Sequence, residues 1–263
     1  MTASRTRPGR FGFRHAVTME WIKLRSMRST FWLLAIAAAA MVGIGVAVLS
    51  VYRSHVPRPG AAQMVNDGLT GVVLGQLLVG FLGILIMTTE YSSGMIRATL
   101  AAAPNRRLVL GAKAAVFGAL AFGVGEVVCF ATFFASQAAL SGSQVPQAAL
   151  TDPGVVRTLA LTGVYLGLIG LIGLGLGAVL RHTGAAVGTL FGVLFVPLFV
   201  LGLLGPAGFH VAEFMPMFIL ANSVSVVQPA SPALSAWAGI GVLCAYAVAA
   251  LSLGAWLLVR RDA

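Results

Sequence analysis

Charge is what this chain has least of. Only 9% of its 263 residues are charged, with seven acids in all, where ordinary soluble domains carry about 25%. Beside 59% apolar residues and 32 glycines, that scarcity excludes a water-surrounded globule. Cysteine is nearly absent too. Cys129 and Cys244 both fall inside apolar runs, where a thiol acts as a small apolar residue, so no disulfide framework is expected. The signatures of chemistry are missing as well. A P-loop needs G-x-x-x-x-G-K-[ST], and neither lysine, Lys23 nor Lys113, follows a glycine. His15, His55, His182 and His210 are scattered without an H-E-x-x-H motif, and Asp67, Asp152 and Asp262 lie outside the apolar runs. We expect no catalytic residue, no metal site and no cofactor held by this chain, which is not read as an enzyme.

What is present is length without charge. A membrane helix needs roughly 20 mainly apolar residues, and six stretches meet that: 30–51, 69–88, 109–136, 157–180, 184–204 and 234–259. The expected fold is all-α, a polytopic integral membrane protein of six transmembrane helices. Residues 1–29 form a basic tail and interfacial helix, and 30–263 the six-span domain. The first run lies behind nearly thirty residues of basic sequence and ends in "VLSVYRSH" without a small-residue cleavage site, so it reads as a retained span rather than a signal peptide.

Positive residues flanking spans are held on the cytoplasmic side. Arg5, Arg7, Arg10, Arg14, Lys23, Arg25 and Arg28 precede the first run. Arg97, Arg106, Arg107 and Lys113 follow the second, Arg181 the fourth, and Arg260 with Arg261 the sixth. Only Arg53, Arg58 and Arg157 fall on the alternate side. Both termini are therefore expected in the cytoplasm of a multi-pass plasma-membrane protein. The net charge of +10 reads as contact with anionic lipid of the bilayer rather than with nucleic acid.

In "FGFRHAVTMEWIKLRSMRSTFW", Phe13, Val17, Trp21 and Leu24 form one stripe at helical spacing, with Arg14, Lys23, Arg25 and Arg28 mostly elsewhere. This predicts an amphipathic helix in the cytoplasmic interface, against a plain basic tail. Pro57, Pro59, Gly60, Asn66, Asp67 and Gly68 predict an external loop over 52–68, and Gly142, Pro146, Asp152, Pro153 and Gly154 another over 137–156. Residues 205–233 are too apolar for a solvated loop, yet Glu213, Pro216 and Asn222 interrupt them. A re-entrant or outer helical pair is expected there, against a lipid-associated loop. The pairs Gly71–Gly75, Gly163–Gly167 and Gly188–Gly192 allow close helix approach within or between subunits, and Pro197 predicts a kink in the fifth span.

Two polar features remain. Glu126 lies thirteen residues beyond Lys113, about 20 Å along a helix, so it is deep in the third span. Such carboxylates are expensive in hydrocarbon, and it is a candidate for either a pathway or a packing role. The second is "EYSSGMIRATLAAAPNRR", residues 90–107, which interrupts two apolar runs. Ser92 or Ser93 caps a short helix, Gly94 turns its start and Pro104 stops it. Met95, Ile96, Thr99 and Leu100 share one side, with Arg97 pointing away. The resulting peg suits docking into a partner, or is a basic loop with an incidental turn.

With "EWIKLRS" before the first span and "TEYSSGMIRATLAAAPNRR" after the second, the chain resembles the permease subunit of ABC-2 type ATP-binding-cassette exporters. The likeness covers its whole length in topology. It implies that the first motif, with Trp21, Lys23, Arg25 and Arg28, is the interfacial connecting helix. It further implies that Glu90, Gly94, Met95, Ile96, Arg97, Thr99 and Leu100 couple to a separate ATPase subunit, which holds the ATP and Mg. A second permease chain, identical or different, completes the pathway. The rival readings are a secondary transporter driven by an ion gradient through Glu126, and a non-transporting regulator or scaffold.

Overall fold

Between Val155 and Leu180 the chain carries one charge, Arg157, and six glycines, and this stretch forms the helix on which the others pack. The computed structural model describes residues 12–52, 60–102, 105–143, 145–203, 206–227 and 234–261. In order, α1 is Phe13–Ser26, α2 Arg28–Tyr52, α3 Ala61–Gly68, α4 Val72–Ser92, α5 Met95–Ala102 and α6 Arg106–Ala139. Then come α7 Val155–Leu180, α8 Thr183–Leu203, α9 Pro206–Ala212, α10 Pro216–Phe218, a π-helical turn Ile219–Ser223, and α11 Ala236–Arg260. There is no strand among the described residues.

The protein is all-helical among its described residues, and there five helices are long and apolar enough to cross a membrane: α2, α3 with α4 as one run, α6, α7 and α11. The expected sixth, 184–204, is present as α8. It runs unbroken over 21 residues with Pro197 inside it, and over its described part, Thr183–Pro197, it is apolar.

Burial identifies the centre. In α7 72% of the apolar window is buried, against 22% in α2, and α7 packs on α4, α6 and α11. Glycine makes this possible. A methyl group on Gly83 would collide with the Gly170 carbonyl oxygen, and one on Gly173 with that of Gly80. The α4–α7 crossing is therefore built backbone on backbone. Of the expected pairs, Gly71 and Gly75 pack on Met41, and Gly163 and Gly167 on Glu126 and Phe122, while Gly188 and Gly192 meet no neighbour within 4 Å. Inside this core Gln76 accepts a short hydrogen bond from the Tyr165 hydroxyl, and both side chains are fully buried.

Two loop expectations change. The segment 52–68 is partly helical, because α3 buries Met64 and Val65 and its turn-prone residues Asn66, Asp67 and Gly68 form its last turn. There the Leu69 N–H bonds back to Val65 and Asn66. Arg53, His55, Pro57, Arg58 and Pro59 lie outside the described residues, as do residues 1–11, Pro104, Gly205, residues 228–233 and Asp262. Helix α6, the expected third span, runs on to Ala139, and the loop of 137–156 shortens accordingly. The segment from 206 folds as short helical pieces whose breaks are bonded to neighbouring elements. Tyr246 donates to the Phe214 carbonyl (3.0 Å) and the Val226 N–H to Asn66 Oδ1 (2.9 Å).

Candidate functional site

At one end of the bundle, α1, the end of α4, the short α5 and the start of α6 converge. Only Met27 separates α1 from α2, so α1 folds back across the bundle and turns one face inward. That face is Ala16, Glu20 and Leu24. The expected stripe is thereby split: Leu24 is buried and Val17 half-buried, while Phe13 and Trp21 are exposed. A glutamate occupies the inward face because a cation waits for it.

That cation is Lys113. Its Nζ donates to Glu20 Oε2 at 2.6 Å and to Glu90 Oε1 at 2.9 Å, and all three residues are at most 4% exposed. Lys23 closes the figure from the same helix as Glu20. It donates to Glu20 Oε1 (3.3 Å), Glu90 Oε1 (2.9 Å) and the Thr99 hydroxyl (3.0 Å), which uses all three of its N–H donors. Two carboxylates and two ammonium groups make a formally neutral cluster, the condition under which buried charge is tolerated. Leu24, Ile86, Met87, Ile96 and Val116 surround it with hydrocarbon. One acceptor is left over, since Glu90 Oε2 is buried without a partner. A cavity of about 300 Å³ borders the cluster, between Leu24, Met27, Ile86, Met95 and Val116.

The expected coupling residues divide by side. Gly94 has φ +70°, the left-handed turn that glycine adopts without strain, and Ser93 Oγ accepts from the Met95 N–H (3.4 Å) at the start of α5. Ile96 and Thr99 are buried and Leu100 is half-buried, all packed on the rest of the chain. Met95, at 47% exposure, and Arg97 face outward. The shared face expected for Met95, Ile96, Thr99 and Leu100 is thus not one face. The inner side ties α5 down through Thr99, and the outer side, Met95 with Arg97, is open.

Several cations have partners other than lipid. Arg106, one of the flanking cations expected to meet anionic lipid, donates to the carbonyl oxygens of Leu258 (2.8 Å) and Arg261 (3.0 Å) at the end of α11. Arg181 lies over the Tyr91 ring at 5.0 Å. Arg261 reaches the Val179 carbonyl oxygen at 3.4 Å. Cations at helix C-termini satisfy the last carbonyls and oppose the helix dipole. Arg25, Arg28 and Arg107 are exposed. Glu126 is half-buried on α6 with its carboxyl against Gly163 of α7, thirteen residues beyond Lys113 and not among the bonded groups of the cluster.

The sequence marked Lys23, Glu90 and Thr99 but not their union with Glu20 and Lys113. Lys113 had been counted among the flanking surface cations, and it is buried. A signal existed: Val109, Leu110, Lys113, Val116 and Phe117 lie on one buried stripe of α6, and a lysine on such a stripe demands a carboxylate. Comparison with protein-family models and with curated proteins gives no match for this chain.

Proposed function

We propose that the chain is the permease subunit of an ATP-driven exporter of the ABC-2 type, working with a separate ATPase subunit and a second permease chain. The observation that carries this reading is the tie between α5 and the bundle. The short helix that resembles a coupling peg is bonded through Thr99 to Lys23, and Lys23 belongs to a buried cluster joining α1, α4 and α6. A push on α5 is passed to three other helices through charge-assisted bonds rather than dissipated in a loose loop. In this reading both termini and α5 lie in the cytoplasm at the plasma membrane. Met95 and Arg97 meet the ATPase, and ATP with Mg is bound by that partner.

ATP shifts the permease only by favouring one of its states, and the cluster is the element through which α5 transmits that preference. The second permease chain is placed against α8, whose Gly188 and Gly192 are open. The test is purification of the tagged chain from its host in mild detergent, with copurifying proteins identified and ATP hydrolysis assayed. A soluble P-loop ATPase in stoichiometric amount is expected. Intact, monodisperse chain that comes down alone overturns the proposal.

A further inference from the structure

The other end of the bundle holds a second cavity, of about 420 Å³, a volume in the range that holds small organic ligands. It is walled by the end of α3, the start of α4, the start of α7 and the π-helical turn with the residues after it. Its chemistry is divided. Leu69, Val73, Met217, Leu220 and Val224 supply an apolar side, and Asp67, Asn66, Thr158 and Asn222 a polar one.

Two observations on the polar side point to what the cavity takes. The first is the Thr158 hydroxyl, 1% exposed and without a hydrogen-bond partner, although a buried orphan of this kind costs free energy. The second is the Asp67 carboxylate. Both its oxygens are oriented by neutral donors, Tyr52 Oη at 2.9 Å and Gln63 Nε2 at 2.9 Å. A carboxylate accepts at about four sites, so acceptor capacity remains. None of the ion pairs formed among the described residues includes Asp67. Arg157 turns its guanidinium to the Ser225 carbonyl oxygen instead (3.4 Å).

We propose that this cavity binds a primary ammonium carried on an apolar body, the N–H donors meeting Asp67 and the Thr158 hydroxyl and the body lying on Leu69, Met217 and Leu220. An ammonium has donors only and brings the positive charge that the two neutral donors do not. The chemistry is shared by a free amphipathic amine and by the headgroup of an ethanolamine lipid. The site stands apart from the ion cluster, and binding here needs neither an ATPase nor transport, so it can hold or fail independently of the proposed function.

The test is fluorescence titration of the whole chain, in phosphatidylcholine nanodiscs, with dansylcadaverine and with its N-acetylated form, empty discs serving as the blank. Saturable binding of the amine is expected, with the acetylated probe, and the Asp67→Asn variant, at least about tenfold weaker, as loss of a charge-assisted bond implies. Ala221→Trp, placed at an exposed position of the lining, fills the cavity without touching the core and is expected to abolish binding. Absence of saturable binding to the unaltered chain, equal affinity for both probes, or undiminished binding to monodisperse Ala221→Trp would each overturn the proposal. Repeating the titration in discs containing phosphatidylethanolamine separates the sources. Suppressed probe binding assigns the site to the lipid headgroup, and unchanged binding assigns it to a free amine, both within the proposed chemistry.

Discussion

Lys113 and Glu20, 93 residues apart in the chain, meet at 2.6 Å with both side chains buried. The pair holds α1 to α6, and Glu90 joins it from α4. Breaking a buried pair from one side strands the remaining charge, typically at about 3–5 kcal/mol. Lys113→Met leaves Glu20 and Glu90 with Lys23 alone, so a loss of that order is expected in thermal unfolding of the detergent-solubilised protein. Adding Glu20→Gln removes one stranded charge and is expected to recover part of the loss. A double variant no more stable than Lys113→Met would show that the two side chains do not act as a pair.

Among the described residues, Thr99 makes the one hydrogen bond from α5 into the cluster. Thr99→Val removes the hydroxyl that accepts from Lys23 and keeps the shape, at a cost of about 1.5–3 kcal/mol for a bond to a charged donor. Global stability is expected to fall modestly, with the larger change in amide hydrogen exchange of α5, which frays once untied. Exchange in α5 that matches the unaltered chain would remove Thr99 from the proposed line of transmission.

The open side of α5 is where a partner can be lost without harming the fold. Met95→Asp with Arg97→Glu changes only exposed residues, so unaltered expression and melting are expected. Copurification of an ATPase is expected to drop by tenfold or more, about 1.4 kcal/mol or greater. Leu100 is unsuited to this purpose because it packs on the buried shell of the cluster, and an aspartate there would test folding. Full retention of the ATPase by the Met95/Arg97 variant would move the contact elsewhere.

The long apolar runs were legible because hydrophobic length is a local property, and α2, α6, α7, α8 and α11 coincide with five of them within a few residues. Gly94 and Ser93 were legible for the same reason, since a turn and its cap are made by neighbours. The helix α3 was not, because Asn66, Asp67 and Gly68 signal a turn whether they end a helix or fill a loop. The faces of α1 and α5 were misjudged where apolar side chains have two apolar surroundings. Phe13 and Trp21 face outward and Leu24 faces protein, and spacing alone does not separate them. The cluster itself is a relation between distant segments. The stripe of Val109, Leu110, Lys113, Val116 and Phe117 on α6 hints that Lys113 points inward, but it does not show which carboxylates meet it.

Glu126 offers a direct decision between the coupled exporter and a carrier driven by protons. Its carboxyl lies against Gly163, and Glu126→Gln keeps the volume while removing the ionisable group. In vesicles reconstituted with the ATPase, this variant is expected to retain ATP-dependent transport, unaffected by dissipating the proton gradient. Transport that vanishes in the variant and with the dissipator would instead make the carboxylate part of the driving chemistry.

The α4–α7 crossing gives the sharpest stability contrast. Gly83 and Gly173 each face a carbonyl oxygen of the opposite helix, those of Gly170 and Gly80. A methyl at either position must push two backbones apart, and overpacking of this kind costs about 1–3 kcal/mol or more. Backbone cannot move aside as a side chain can, so the upper part of that range is expected for Gly83→Ala and Gly173→Ala. Gly111 lies mid-helix in α6 with nothing within 4 Å. There alanine adds only its helix preference over glycine, about 0.5–1 kcal/mol in the stabilising direction. Melting temperatures should therefore fall for the two crossing variants and hold or rise for Gly111→Ala. If the three behaved alike, the close approach of α4 to α7 would not be what sets the position of α7 in the bundle.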